Sequence, residues 1–176
     1  MYGWFPEGAF VTRKHGYPER LNMVRSAASD AGRDPMAITP AAAAFVLTGL
    51  SRQQVDEVLE TDAVKSAALL APAEIWARHG VRHPLGANST GAHDIIPQIL
   101  DEHTVLSYTA QVPAPLMTEI ALNGTPDEVI DQAAEYRDQG VRYMVIANIG
   151  VLQPNLRKGM TSNLPFAKII RGLKRL

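Results

Sequence analysis

Val129, Ile130, Ala133 and Ala134, followed by Arg137, recur at the three- and four-residue spacing of one helical face. Thr125 stands at the N-cap, Pro126 at the first helical position and Glu128 three residues past the cap, so a capping box opens this helix. Gly140 closes it in the left-handed conformation that glycine tolerates. The following run Tyr143-Met144-Val145-Ile146-Ala147 lacks polar alternation, which predicts a strand over 141–147 buried on both faces. A helix returning into a buried strand is the unit of a parallel α/β sheet.

Elsewhere the pattern is read from the same signals. Tyr2 to Phe5 is a short apolar run stopped by Pro6 and reads as a first strand. Pro18 opens a helix with Leu21, Val24, Ala28 and Ala31 on one face, and Gly32 ends it. Ile38 to Leu47 reads as a second strand, Pro40 weighing against the helical preference of its four alanines. Ser51 and Gln54 cap a helix through Leu59, continued over Asp62 to Leu70, and Pro72 starts another that Gly80 ends near His79. The Gly-, Pro- and Asn-rich stretch from Gly80 to His93 is a surface loop, and Asp94–Tyr108 and Pro115–Leu122 read as helices. Gly150 to Gly159 reads as loop, and Phe166, Ile169, Ile170 and Leu173 mark a closing amphipathic helix. There is no internal repeat and no linker, so residues 1–176 are expected to form a single domain.

Composition narrows the function classes. A charged fraction of 20% beside 46% apolar residues is that of a folding chain. A net charge of −1 with Lys and Arg scattered gives no field expected to gather nucleic acid or an anionic membrane. There is no cysteine, which removes disulfides, thiolate nucleophiles and zinc–cysteine sites and suits a reducing compartment. No leader and no apolar run of about 20 residues is visible, so a cytoplasmic location is expected. No GxGxxG turn, Walker loop, nucleophile elbow or HExxH helix is present.

The segment GTPDEVIDQAAEYRDQGVRYMVI resembles the last helix and eighth strand of the luciferase-like (β/α)8 barrel oxidoreductases, which use FMN or the deazaflavin F420. Val24–Met36, Trp76–Val81, Asp94–Gln98 and the closing Leu164-Pro165…Arg171-Gly172-Leu173-Lys174 extend the resemblance over nearly the whole chain, toward mycobacterial F420-dependent ketoreductases of lipid metabolism. One departure is Tyr2, where the family usually has an acidic residue before Gly-Trp. The resemblance implies an α/β fold, the carboxy-terminal part of a TIM barrel from about the sixth strand to the eighth with a helical insertion. A full barrel takes about 250 residues, so this chain is too short to hold one. It also implies hydride transfer from reduced F420 to the keto group of a long-chain lipid. The ring pocket and phosphate loop of that family come largely from strands one to five, so no cofactor-binding residue is assigned here, and the chain is expected to be inactive alone. Alternatives are a non-catalytic binding or scaffold protein and a fragment of an FMN-dependent monooxygenase.

Barrel enzymes carry their reacting groups where strands end in C-terminal loops. Those positions make Glu7, Thr48 and Asn148 candidates for lining a substrate site. His79, His83 and His93 join them, because they crowd one polar loop and imidazoles titrate near neutrality. A metal site is not expected, since Gly80 and Pro84 break the helical face that His79 and His83 would share. Sheet edges left open by an incomplete barrel predict self-association or pairing with an amino-terminal half-barrel.

Overall fold

In the computed structural model the described residues are 2–4, 16–96 and 100–176, of which 2–4 are described by backbone alone. In chain order the first elements are β1 (Tyr2–Trp4), α1 (Tyr17–Asp30), β2 (Ile38–Thr48), α2 (Arg52–Leu59), α3 (Asp62–Lys65) and α4 (Ala73–Arg78). They are followed by α5 (Glu102–Thr109), α6 (Ala114–Ile120), β3 (Ala121–Gly124), α7 (Pro126–Asp138), β4 (Tyr143–Asn148), α8 (Leu156–Thr161) and α9 (Asn163–Leu173).

Every strand pairs with β2 and every pairing is parallel. β1 runs beside its start, Tyr2 opposite Ile38 and Trp4 opposite Pro40. β4 follows from Tyr143 opposite Ala41 to Asn148 opposite Val46. β3 pairs from Ala121 opposite Phe45 to Gly124 opposite Thr48. Phe45 and Val46 are thus paired on both edges, which makes β2 an interior strand and accounts for its apolar, alanine-rich sequence.

Two cores flank the sheet. Ala42 and Val46 pack with Tyr17 and Leu21 of α1, Val129, Ala133 and Tyr136 of α7, and Ile169 of α9. The Tyr17 hydroxyl donates to Ala41 O at 3.1 Å, and burial pushes its pKa up to about 12. Gly172 lets α9 close on α7, because a Cβ there would overlap Ile130 Cδ1. Leu47 faces the second core, built by the helical insertion between β2 and β3 around Trp76, Leu116 and Met117. Trp76 Nε1 donates to Ala68 O at 3.0 Å. Gly91, at φ 80°, lies so close to the Leu70 carbonyl that only glycine fits.

Four expectations are corrected. The helix expected over Pro115–Leu122 stops at Ile120, and Ala121–Gly124 is a fourth strand. Four residues are too few for either period to show, and pairing with β2 decides the conformation. The helix expected from Asp94 begins only at Glu102, after Asp101 caps it by accepting from Thr104 N at 2.7 Å, and Ala92–Asp94 is a 3-10 turn. Within the loop expected over Gly150–Gly159, Ile149–Leu152 form a 3-10 turn and α8 begins at Leu156, capped by Asn155 accepting from Lys158 N at 3.1 Å. β4 is not buried on both faces: Met144 and Ile146 pack on the helices, whereas Tyr143 and Val145 are 62% and 46% exposed. Nothing among the described residues covers that second face.

The outer edge of β3 is closed by a side chain. Gln132 of α7 accepts from Asn123 N at 3.1 Å and donates to Asn123 O at 2.8 Å, as a neighbouring strand would. Arg52 adds a second donor to the same carbonyl at 3.2 Å and one to Asn123 Oδ1 at 3.0 Å.

Candidate functional site

The C-terminal ends of β2 and β4 open onto a cleft of about 590 Å³. One wall is the turn Thr48–Ser51 with Gln53, Gln54 and Glu57 of α2, and the other is Gln153 with Lys158, Thr161 and Ser162. Sequence chemistry sets the first wall: Ser51 Oγ accepts from Gln54 N at 3.3 Å, and Gln54 Oε1 accepts from Leu50 N at 3.1 Å. These bonds fix how the turn leaves the strand.

Thr48 lies in this cleft, 5% exposed, at the last position of β2. Its Oγ1 has no hydrogen-bond partner among the described residues. A buried hydroxyl without a partner costs roughly 1–3 kcal/mol, so it marks a place where a polar ligand atom would be favoured.

Asn148, at the end of β4, braces the opposite wall. Its Nδ2 donates to Ser162 Oγ and to Asn163 Oδ1, both at 3.0 Å, while its Oδ1 accepts from Gly150 N at 3.0 Å. Ser162, only 6% exposed, donates onward to Gly159 O at 2.6 Å. Asn148 therefore positions a cleft residue and does not itself line the cleft. Lys158, Ser162 and Gln153 were not singled out in the sequence, because the stretch carrying two of them read as loop; the Asn155 cap three residues before Lys158 was the signal available.

The three histidines do not converge. His79 caps the end of α4 and bonds through Nε2 to Glu119 Oε2 at 2.7 Å, while Arg78 donates to Glu119 Oε1 at 2.8 Å. Burial would raise the Glu119 pKa; the bonds from His79 and Arg78 outweigh it and hold the carboxyl below its usual range. This clasp joins α4 to α6. His83 is 1% exposed, edge-on to Trp76 with ring centroids 5.0 Å apart. Its Nδ1 accepts from Leu85 N at 3.1 Å, which leaves Nε2–H to donate to Leu69 O at 3.3 Å. Burial lowers its pKa, partly countered by hydrogen bonds to Leu69 and Ala71. His93 is exposed in the 3-10 turn, beside Asp94, whose carboxyl is held low chiefly by accepting from Thr90 N at 2.6 Å. None of the three lines the cleft. Glu7 lies outside the described residues. Among the described residues no group of three His, Cys, Asp or Glu side chains is placed to hold a metal, and no helix is long and apolar enough to cross a membrane.

The chain matches the family model described as "Luciferase-like monooxygenase" over residues 1–143. A phthiodiolone/phenolphthiodiolone dimycocerosates ketoreductase of Mycobacterium tuberculosis (strain H37Rv) is 57% identical over 173 residues, which cover 98% of this chain and 45% of that protein. The protein of the same name from Mycobacterium kansasii is 50% identical, covering 98% and 47%. The chain spans about half the length of these relatives. Two solved structures share its fold. An F420-dependent secondary alcohol dehydrogenase with an F420-acetone adduct has a TM-score of 0.54 at 16% identity, covering 97% of this chain and 47% of that one. The F420-dependent tetrahydromethanopterin reductase of Methanopyrus kandleri has a TM-score of 0.52 at 19% identity, covering 83% and 39%.

Proposed function

The chain belongs to the luciferase-like family, its sheet being part of that family's (β/α)8 barrel, and on that footing we propose that it is the cleft-bearing portion of an F420-dependent ketoreductase acting on phthiodiolone-type dimycocerosate lipids. The observation that carries the reading is the Thr48 hydroxyl, buried without a partner where a barrel strand ends in a cleft. Identity of 50–57% to ketoreductases along nearly the whole chain supports the reaction class and the lipid substrate. The deazaflavin is the finer part of the proposal, since the two F420 enzymes sharing the fold are 16–19% identical and carry the architecture alone.

The residues present suit one side of such a ligand. Thr48 Oγ1 and Ser51 offer hydroxyls, Gln53 and Gln54 amides, and Lys158 a cation for an anionic tail. When bound, reduced F420 supplies a hydride to the carbonyl carbon. The chain's own part is to bind and orient. Thr48 can donate one hydrogen bond, Ser162 is held in place by Asn148, and the Ser51–Gln54 turn fixes the opposite wall.

Because the chain spans about half of its relatives, turnover is expected only when the remaining strands are supplied. The test is ketone-dependent oxidation of F420H2 by the chain mixed with the amino-terminal portion of the M. tuberculosis relative. Oxidation that needs both polypeptides and the ketone is the expected result. A folded complex that ignores F420H2, or that turns over with FMN instead, overturns the reading.

A further inference from the structure

The net charge of −1 conceals a sharp division. All eighteen Asp and Glu residues lie at or before Asp138, together with ten of the seventeen Lys and Arg residues. The last 38 residues therefore carry seven cations and no acidic side chain. The expectation of scattered charge fails at this point, because a total conceals how the signs are distributed along the chain.

The fold gathers that charge on one face. α8 and α9 are joined through Ser162, itself helical at φ −60° and ψ −20°, so the two run nearly as one helix. At 3.6 residues per turn, Leu156, Met160 and Leu164 fall on one side, within a wedge of about 120° that also holds Arg157, Lys168 and Arg171. Lys174 and Arg175 continue the same wedge. Opposite it stand the buried residues Gly159, Ser162, Pro165 and Ile169. The three apolar side chains are 76%, 65% and 73% exposed, and the neighbouring turn adds Val151 and Leu152 at 49% and 46%. Among the cations of the wedge, only Lys168 has an ion pair among the described residues, to Asp127 at 2.9 Å. An exposed apolar stripe interleaved with unneutralised Lys and Arg is the pattern of a helix lying in a membrane interface, apolar residues among the acyl chains and cations at anionic headgroups.

We infer that the α8–α9 face, with the Val151–Leu152 turn, is a docking surface for an anionic lipid membrane. The cleft meets this face at Leu164, with Thr161 at the border of the wedge, so docking brings its mouth to the lipid. The surface stands on exposure and charge and is independent of the reaction proposed above.

The test is co-sedimentation of the 176-residue chain with phosphatidylcholine vesicles, plain or containing roughly one-third phosphatidylglycerol. Binding is expected only to the anionic vesicles and is lost when salt is raised to about 0.5 M. Arg157→Gln with Arg171→Gln should lower the partition coefficient about 25-fold, near fivefold per cation. Arg33→Gln with Arg82→Gln removes the same charge from exposed positions elsewhere and should leave binding unchanged. Leu156→Ser with Met160→Ser, both exposed and therefore tolerated by the fold, should weaken it at least tenfold. Equal binding to plain vesicles, no binding, equal loss in both arginine pairs, or sedimentation without vesicles through association of the chain with itself would each overturn the inference.

Discussion

Protonating His83 should destabilise this fold by an amount its surroundings fix. The neutral ring is fully used: Nδ1 accepts from Leu85 N, Nε2–H donates to Leu69 O, and the ring edge rests on Trp76. A second ring proton would set two donors against each other at Leu85 and leave a charge in a site 1% exposed. The folded pKa accordingly lies below 6.5, so the unfolded chain binds the proton first as pH falls. This contribution is complete above about pH 6.5 and declines below it, by up to about 1.4 kcal/mol per pH unit until the lowered folded pKa is reached. Urea melts of the wild-type chain and of His83→Phe between pH 7.5 and 5.5 isolate the effect. Phenylalanine keeps the ring volume but orphans the buried Leu69 carbonyl and the partly buried Leu85 N–H, costing about 1–3 kcal/mol at pH 7.5. The variant should then lose less stability on acidification than the wild type. Equal pH slopes in the two proteins would refute the assignment of His83 as a neutral structural link.

Gln132→Ala removes the side chain that pairs both polar groups of Asn123; Arg52 still serves the carbonyl, but the buried N–H is orphaned, so a loss of about 1–3 kcal/mol is expected in denaturant melts. Gly172→Ala forces the Ile130 side chain to turn away, a repacking that offsets the roughly 1 kcal/mol by which alanine favours a helix interior, so the melting temperature should not rise. Thr48→Val should move stability and binding in opposite directions. Removing the unpartnered hydroxyl stabilises the chain by about 1 kcal/mol in a thermal melt, while affinity for F420 falls in a fluorescence titration of the chain paired with the amino-terminal portion of its relative.

How much of this was legible depended on whether a signal was local. Thr125, Pro126 and Glu128 specify the start of α7 through their own backbone and carboxylate, and Glu128 does accept from Thr125 N at 2.7 Å. β2 is readable because both its edges are paired and its sequence is apolar from Pro40 to Leu47. β3 is not, since its four residues become a strand only through pairing with β2. The exposed face of β4 is illegible for a related reason: apolar residues at Tyr143 and Val145 record what a face is suited to meet, not whether something covers it. Thr48 was named by the rule for barrel strand ends, and its missing partner emerges only in three dimensions. The histidines show the limit of residue type as a guide, because His79 and His83 are spent on Glu119 and on the insertion's backbone.

Backbone amide NMR of the isotopically labelled chain, paired with the unlabelled amino-terminal portion of the M. tuberculosis relative, during addition of F420 tests most directly whether the strand-end cleft is the ligand site. Saturable shifts confined to Thr48–Gln54 and Lys158–Ser162 are predicted, with the Thr48 signals moving furthest. Shifts centred on the His79–His93 stretch, or spectra unchanged by F420 but altered by FMN, would contradict the account.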